Sequence, residues 1–252
     1  MATQAVSISN LGFHYPGTSK PVFQHLDLNV AAGDRFGLFG PNGAGKTTLM
    51  NCMTGLLSFK EGSIHLFDKE IRNQRSVKEL FGFVPQDFSF YHELSPVDNL
   101  SFFGAWSGLK KAAIKQRTEE LLEVLDLKEV YNKPVHKFSG GMKRKVNLAI
   151  GVIHQPKLLF LDEPTVGVDV QTRHVIIEYL KKLNRNGTTL IYTSHQLNEA
   201  EELCNTIALI DEGRIIAHDL LTNLLVEHKE DGLEGLFINL TGKKYNDAGC
   251  IN

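Results

Sequence analysis

The sequence predicts an α/β fold with a largely parallel sheet and an inserted lobe of helices. Short apolar runs such as "RFGLFG" and "KLLFLDEP" alternate with amphipathic stretches, and this alternation favours parallel strands joined by helices. Between residues 87 and 155 the apolar residues repeat at helical spacing instead, which predicts that this segment forms a separate helical lobe.

The composition is that of an ordinary globular protein without a strong charge. The 252 residues are 42% apolar and 22% charged, with a net charge of −2 at pH 7, so we expect no general attraction to nucleic acid. No apolar run approaches the roughly 18 residues that a membrane helix needs, and the N-terminus shows no secretory signal. The dispersed cysteines Cys52, Cys204 and Cys250 predict reduced thiols rather than disulfides or a zinc site. We therefore expect a cytoplasmic protein that reaches a membrane only through a partner.

The elements before the lobe follow from short apolar patterns. Apolar residues alternate over Val6–Tyr15 and Val22–Val30, which predicts two strands. The run "RFGLFG" predicts a strand that ends at a glycine loop, and a helix is predicted over Ala44–Leu57. The segments "EGSIHLFDKEI" and "FGFVPQ" predict two further strands.

Helical spacing defines the lobe, and alternation returns after it. One lobe helix is predicted from the shared apolar face of Ile114, Thr118, Leu121, Leu122 and Leu125, and another from Val146, Ala149, Ile150 and Ile153. Then follow the strand "KLLFLDEP", a helix closed by Asn186-Gly187, the strand "TTLIYTSH", the helix "QLNEAEELC" and the hairpin "TIALIDEGRIIAHD". The polar, glycine-containing end of the chain is assigned no firm structure.

The loop "GPNGAGKTT" is the strongest candidate site. It matches G-x-x-x-x-G-K-[ST] between a predicted strand and a predicted helix, as a phosphate-binding P-loop requires. Its glycines let backbone N–H groups approach phosphate oxygens, and the helix adds its positive dipole end. We expect Lys46 to reach the β- and γ-phosphates of a nucleotide, and Thr47 to ligate Mg²⁺. The nucleotide-binding residues of this loop are Gly40, Pro41, Asn42, Gly43, Ala44, Gly45, Lys46, Thr47 and Thr48.

Two acids follow the buried strand of "LLFLDEP". Asp162 stands at the end of this strand, where a P-loop protein holds its Mg²⁺. Glu163 comes next, and a carboxylate near the γ-phosphate can orient and deprotonate the attacking water. The plainer alternative for Glu163 is a solvated acid at a strand end.

A second glycine turn, "FSGGMKRK", opens the last helix of the predicted lobe. Ser139, Gly140 and Gly141 lie 93 or more residues beyond Lys46, so the chain carries two candidate phosphate sites. With the P-loop, this turn and the acidic strand end in this order, residues 5–220 resemble the nucleotide-binding subunits of ATP-binding-cassette (ABC) transporters.

The resemblance implies a P-loop NTPase fold with a RecA-like core, an antiparallel β subdomain and an inserted helical subdomain. It predicts one ABC ATPase domain over residues 1–219. The predicted parts are core segments at 1–86 and 156–219, the helical lobe at 87–155 and a short C-terminal extension at 220–252.

The resemblance also implies that two subunits pair head to tail. Ser139, Gly140 and Gly141 of one copy would then bind the γ-phosphate held by the P-loop of the other. Phe138 and Met142 differ from the commonest L-S-G-G-Q form of this turn, but the hydroxyl, the backbone N–H groups and the helix dipole are kept. ATP with Mg²⁺ is the expected substrate, and a second ABC ATPase subunit, most simply an identical copy, is the expected partner.

Further positions match the family one by one. Gln86, at the end of "FGFVPQ", matches the glutamine that senses Mg²⁺ and the attacking water. Asp169, in "TVGVD", matches the loop that contacts the other subunit, and His195, after "IYTS", matches the histidine that contacts the γ-phosphate. The expected catalytic residues are Glu163, His195, Lys46 and Gln86, and the expected Mg²⁺ ligands are Thr47, Gln86 and Asp162.

The segment "FHYPG" matches the part of the family that stacks on adenine. Tyr15 is the expected stacking residue, because an aromatic face can overlap the base. Phe13 and His14 are the alternatives.

Several segments, including "LSPVDNLSFFGAWSGL" and the terminal "LEGLFINLTGK", resemble the export branch with separately encoded permeases for drugs, polysaccharides, lipids or ions. This implies a peripheral position at the inner face of the cell membrane, through integral-membrane permease subunits. An aromatic cluster after Gln86 forms either a groove for a permease helix or the core of the lobe. Its members are Phe88, Phe90, Tyr91, Phe102, Phe103 and Trp106.

Two other classes of protein share some of these motifs. A soluble ABC ATPase, such as an iron–sulfur-cluster assembly ATPase, would share every nucleotide motif and differ at the permease-docking face. A P-loop kinase or GTPase would have no use for the Ser139-Gly140-Gly141 turn, and the chain has no guanine-reading N-K-x-D motif.

Overall fold

The computed structural model describes residues 3–72 and 77–242, which pack as two compact units. The second unit is Glu79–Thr188, and the first is built from the chain on either side of it. The predicted limits of the helical lobe, 87–155, fall inside the second unit and stay a prediction. Cys250 lies outside the described residues, whereas Cys52 and Cys204 are buried free thiols.

The elements largely follow the predicted order. The strands of the described chain are β1 (Gln4–Phe13), β2 (Phe23–Ala31), β3 (Arg35–Phe39), β4 (Glu61–Leu66), β5 (Lys69–Glu70), β6 (Phe81–Val84), β7 (Leu158–Asp162), β8 (Thr189–Thr193), β9 (Thr206–Asp211) and β10 (Arg214–Leu220). The α-helices are α1 (Lys46–Met53), α2 (Pro96–Trp106), α3 (Lys111–Val124), α4 (Gly140–Val152), α5 (Val170–Arg185), α6 (Leu197–Leu203), α7 (Leu221–His228) and α8 (Leu233–Thr241).

An antiparallel sheet in the order β2-β1-β4-β5 forms one layer of the first unit. Ile8 of β1 faces Leu28 of β2 on one side and Ile64 of β4 on the other. All three side chains are buried, because residues that pair directly across neighbouring strands have their side chains on the same face of the sheet, and along β2 the buried residues Leu26, Leu28 and Val30 alternate with exposed ones. The period-two pattern that predicted β1 and β2 is therefore confirmed.

Parallel strands form the other layer of the first unit. β3 lies between β8 and β9 and runs parallel to both, and β10 pairs antiparallel with β9. Phe36, Leu38 and Phe39 of β3 are fully buried, as expected for a parallel strand that is covered on both faces. β3 leads directly into the glycine loop, so this loop leaves the carboxyl end of a central strand, where α/β folds bind ligands.

The second unit combines two parallel strands with four helices. β6 pairs in parallel with β7, every residue of which is buried. Ser95 begins α2 with a capping box, in which its hydroxyl and Asp98 each accept a backbone N–H of the other residue. Leu121 and Leu125 on the predicted apolar face of the lobe are fully buried, which confirms that face.

The described end of the chain, residues 221–242, is helical, whereas the sequence led us to assign no firm structure to the end of the chain. It forms α7 and α8, whose apolar sides bury Leu221, Leu224, Leu233, Leu236 and Phe237. Gly232 and Gly242 bound α8, so the glycines that suggested a loop mark the two ends of a helix instead. Over residues 3–72 and 77–242, no helix combines the length and apolar character that are needed to cross a membrane.

Candidate functional site

The glycine loop between β3 and α1 has the backbone shape of a phosphate cradle. Gly43 and Gly45 have φ values of 80° and 108°, in the left-handed region that glycine adopts at little cost. Gly45 also begins α1, and no side chain caps that helix end. The first turn of α1 thus presents its positive dipole end to the loop, which favours a bound anion.

Lys46 is held inside this loop. Its side-chain Nζ donates to the carbonyl oxygens of Gly40 at 2.7 Å and Pro41 at 3.1 Å. The residue is 7% exposed, so its ammonium group is already largely out of water. A charge that is desolvated and positioned in this way interacts strongly with phosphate oxygens.

Of the three candidates for adenine stacking, Tyr15 is both exposed to solvent and in contact with the helix that follows the P-loop. Its side chain is 40% exposed, whereas Phe13 is buried. The Tyr15 hydroxyl lies 2.9 Å from Oγ1 of Thr48 in α1. Phe13 packs edge-on against the Tyr15 ring, with centroids 5.0 Å apart, and so supports the ring from behind.

The two acids after β7 are both buried. Asp162 is 3% exposed and Glu163 is 7% exposed. Glu163 has φ of 50°, a left-handed conformation that is uncommon for a residue with a side chain and is frequent at functional sites. Gln86 donates from Nε2 to Oε2 of Glu163 at 3.1 Å. The second unit therefore brings together two residues that the sequence predicted for the hydrolytic step.

The predicted Mg²⁺ ligands have the right chemistry for that ion. Mg²⁺ binds oxygen ligands, and Thr47, Gln86 and Asp162 offer a hydroxyl, an amide and a carboxylate oxygen. Because Gln86 uses its amide nitrogen on Glu163, its amide oxygen is the atom left to serve a metal. Each of these three oxygen donors is of a type that Mg²⁺ accepts.

Arg144 also contacts the Gln86 segment, although the sequence gave it no predicted role. Its guanidinium donates to the backbone carbonyl of Gln86 and lies over the Phe88 ring, 4.7 Å from the centroid. Burial lowers the pKa of Arg144, and the negative charges of Glu163 and Asp87 oppose that change. The sequence did hold a signal for the burial of Arg144. Arg144 and Leu148 are four residues apart and so lie on the same face of α4, and Leu148 is buried.

We expect Arg144→Lys to slow ATP hydrolysis about tenfold while ATP affinity stays unchanged. Lysine keeps the charge but loses the planar fork and the flat stack on Phe88. The Gln86 segment would then be held less firmly beside Glu163. Steady-state hydrolysis and equilibrium ATP binding measure the two effects separately. Lys143→Arg is the matched control on the same helix, and unchanged hydrolysis in Arg144→Lys would contradict this role.

The second glycine turn lies beside another helix start. Ser139 caps α4 by accepting the N–H of Met142 at 3.3 Å. Asp169 caps α5, accepting the N–H of Thr172 at 2.9 Å and its hydroxyl at 2.8 Å, and the N–H bond lowers the pKa of Asp169. A Cβ on Gly141 would lie 2.9 Å from Thr172 Oγ1, so the two helix starts are in close contact.

Gly140 is placed differently from Gly141. A Cβ at Gly140 would meet no atom within 4 Å. The turn therefore has one glycine packed against α5 and one that faces open space. An anion that approached the start of α4 would meet Gly140 without a side chain in its way.

His195 follows β8, and its two neighbours in the chain, Ser194 and Gln196, are held by hydrogen bonds. Ser194 Oγ accepts the backbone N–H of Gln196 at 2.9 Å and donates to Glu199 at 3.3 Å. The Tyr192 hydroxyl donates to the same Glu199 oxygen at 2.5 Å. Glu199 is 1% exposed and was not singled out from the sequence, although it stands one helical turn after His195.

The comparisons agree with these observations. The profile of the ABC transporter family matches residues 23–166. Linearmycin resistance ATP-binding protein LnrL of Bacillus subtilis is 40% identical over 233 residues, which are 92% of this chain and 74% of that protein. Nod factor export ATP-binding protein I of Cupriavidus pinatubonensis is 41% identical over 87% of this chain and 70% of its own length. Daunorubicin resistance ATP-binding protein DrrA3 of Streptomyces coeruleorubidus is 35% identical over 93% of this chain and 74% of its own length.

Solved structures show the same fold. An ATP-binding subunit of an ABC transporter has a TM-score of 0.87 and 25% identity, and the match covers 94% of this chain and 99% of that one. The ADP- and phosphate-bound dimer of the cassette MJ0796 has a TM-score of 0.78 at 23% identity, over 86% of this chain and 98% of that one. The predicted P-loop NTPase fold with its antiparallel β and helical subdomains is confirmed. The chain belongs to the ABC transporter family, as a subunit that binds and hydrolyses ATP.

Proposed function

We propose that this subunit drives export through a separate membrane-spanning permease. Three of its relatives are named for linearmycin resistance, daunorubicin resistance and Nod factor export, and these names support export as the direction of transport. The exported compound is set by the permease, because the nucleotide site of this subunit has no role in choosing it.

Hydrolysis requires two copies of the subunit, arranged head to tail. The observation that carries this proposal is the contact between the start of α4 at Gly141 and the start of α5 at Thr172. A partner would therefore meet Ser139 and Asp169 as one surface. Since the chain has its own P-loop, this second anion site completes the ATP site of the other copy, and ATP stabilises the closed dimer.

Each site residue then has a separate role. Lys46 binds the β- and γ-phosphates, and Tyr15 stacks on the adenine. Glu163 takes a proton from the attacking water, and Gln86 keeps its carboxylate in position. His195 contacts the γ-phosphate. Thr47, Gln86 and Asp162 would hold Mg²⁺, which would neutralise charge on the phosphate oxygens.

The exposed part of the aromatic cluster is the proposed docking surface for the permease. Phe90 is 8% exposed and belongs to the core, whereas Tyr91 is 49%, Phe102 is 41% and Trp106 is 81% exposed. The Phe102 ring lies 5.0 Å from Tyr91 and 6.3 Å from Trp106, so these rings form a contiguous apolar patch. Such patches on soluble domains commonly mark interaction sites, and an amphipathic helix is a suitable occupant.

Mixing two inactive variants tests the head-to-tail arrangement. Lys46→Ala removes the P-loop cation. Gly140→Asp places a carboxylate at the second turn, where the structure has room for it, and this charge repels phosphate. We expect each variant alone to be nearly inactive, because both sites of its dimer carry the defect.

A mixed dimer would have one site with both defects and one intact site. Random pairing should therefore restore about a quarter of wild-type hydrolysis when the two variants are co-expressed and purified together. If each protomer completed its own site, the mixture would show no more activity than the single variants. The double variant Lys46→Ala/Gly140→Asp, mixed with wild type, controls for simple dilution.

A further inference from the structure

A buried asparagine of α4 holds the short segment that carries Gln86. Residues 86–89 belong to no helix or strand, so they depend on other contacts for their conformation. Asn147 is 2% exposed and meets this segment with both ends of its side-chain amide. Its Nδ2 donates to the carbonyl oxygen of Pro85 at 3.1 Å, and its Oδ1 accepts the backbone N–H of Ser89 at 3.3 Å. The amide therefore closes a turn that contains Gln86.

An asparagine has the right chemistry for this contact. Its amide offers a donor and an acceptor side by side, so one side chain can satisfy a backbone C=O and a backbone N–H together. Asn147 also stands three residues after Arg144, which places both on one face of α4. The guanidinium of Arg144 donates to the carbonyl oxygen of Gln86, so two neighbouring side chains of α4 hold the same segment.

The peptide planes on either side of Gln86 are thus each held by one side chain. The Pro85 carbonyl belongs to the plane before the Gln86 Cα, and the Gln86 carbonyl belongs to the plane after it. Because a peptide unit is planar and stiff, holding both planes sets the direction in which the Gln86 side chain leaves the backbone. That side chain donates from Nε2 to Oε2 of Glu163 at 3.1 Å.

We propose that Asn147 is a positioning residue for ATP hydrolysis, and that it acts on Glu163 through Gln86. This inference rests on the roles proposed above for Gln86 and Glu163. Asn147 bonds to the backbone of the Gln86 segment and takes no part in the chemistry itself. Without it, two backbone groups would lose their partner, and the Gln86 side chain would sample several directions. The carboxylate of Glu163 would then be less well placed to orient the attacking water.

Steady-state kinetics of Asn147→Leu in the full chain test the proposal. Leucine keeps the branched shape of the side chain but can neither donate nor accept a hydrogen bond. We expect kcat to fall about tenfold, because a small displacement of a catalytic group lowers the rate steeply. The P-loop is unchanged in this variant, so KM and equilibrium ATP binding should stay within about twofold of wild type.

Asn99→Leu is the matched control. Asn99 is a fully buried asparagine of the same unit, and its amide also bridges a backbone N–H and C=O. It accepts the N–H of Tyr91 at 2.9 Å and donates to the Tyr91 carbonyl oxygen at 3.0 Å. We expect the two variants to lower the thermal unfolding temperature to a similar extent. Only Asn147→Leu should lower the kcat of the subunit, which a purely structural role of Asn147 would not produce.

Gln86→Ala shows whether Asn147 acts through Gln86. Alanine leaves no side chain for Asn147 to direct, so adding Asn147→Leu to Gln86→Ala should lower kcat by less than about twofold. A further tenfold loss in the double variant would mean that Asn147 acts independently of Gln86, and it would overturn the proposal. Wild-type kcat in Gln86→Ala alone would instead refute the proposed role of Gln86, and this inference with it.

A second variant keeps the test decisive if Asn147→Leu fails to fold. Asn147→Asp keeps the size of the side chain and the acceptor for Ser89, but it loses the donor to the Pro85 carbonyl. We expect kcat to fall about threefold. Wild-type kcat in both Asn147 variants, while Gln86→Ala is impaired, would overturn the positioning role and leave the proposed role of Gln86 intact. An equal loss of kcat in Asn99→Leu would also overturn it.

Discussion

Glu163→Gln is expected to lower ATP turnover about a hundredfold or more while ATP affinity changes less than about twofold. The amide keeps the size of the side chain and can still meet the Gln86 amide, but it cannot take a proton from water. The backbone at Glu163, with φ of 50°, is equally accessible to both residue types. Because ATP stays intact, the closed dimer should accumulate, and size-exclusion chromatography with ATP should detect it.

Glu178→Gln is the matched control for that experiment. Glu178 is a half-buried acid of the same unit and pairs with Lys181 at 3.0 Å, so its neutralisation removes the same charge from a residue of α5 that has no assigned role in hydrolysis. We expect turnover close to that of the wild type. If Glu163→Gln hydrolysed ATP within about threefold of the wild-type rate, Glu163 would not be the base.

The parts of the site that are formed by residues close together in the chain, namely the P-loop and the helix caps, could be predicted from the sequence. The P-loop follows from glycines at Gly43 and Gly45 between a buried strand and a helix, and the structure places left-handed backbone at both. The predicted helix was too long, however, because Gly45 and Thr54 are its caps. Serine and aspartate at Ser139 and Asp169 likewise cap helices, as their side chains favour.

Contacts between distant parts of the chain could not be predicted from one sequence. Arg144 and Gln86 are 58 residues apart, and neither local pattern indicates the other. Glu199 had the appearance of one acid in an acidic helix, but the fold buries it against Tyr192 and Ser194. These contacts arise from how helices pack on strands, which is a property of the assembled chain.

The aromatic cluster shows the same limit of sequence reasoning. From the sequence, the aromatic residues could equally form the core of the lobe or a docking surface. The spacing of residues shows which ones share a helix face, but it does not show what covers that face. The structure divides the cluster, with Phe90 buried and Trp106 81% exposed. A substitution at Phe90 would therefore disturb the lobe itself, and Trp106 is the better position at which to disrupt a permease contact.

Lys46→Met is expected to weaken ATP binding by about a hundredfold or more and to abolish measurable hydrolysis. Methionine keeps most of the buried stem, which is 7% exposed in the wild type, but it removes the ammonium group. Each charge-assisted hydrogen bond that the ammonium makes to phosphate is worth about 1.5–3 kcal/mol. Binding of a fluorescent ATP analogue and steady-state hydrolysis measure the two losses.

We expect Lys46→Met to lose ATP binding because the ammonium group is missing, and not because the protein unfolds. Lys46 Nζ bonds to the Gly40 and Pro41 carbonyl oxygens, so Lys46→Met frees two acceptors at the edge of the loop and should lower the free energy of unfolding by about 1–2 kcal/mol. Thermal unfolding checks that the fold remains. Lys60→Met, at an exposed position of the same unit, should change neither ATP binding nor unfolding. ATP affinity within about threefold of wild type in Lys46→Met would show that the loop binds phosphate through its backbone alone.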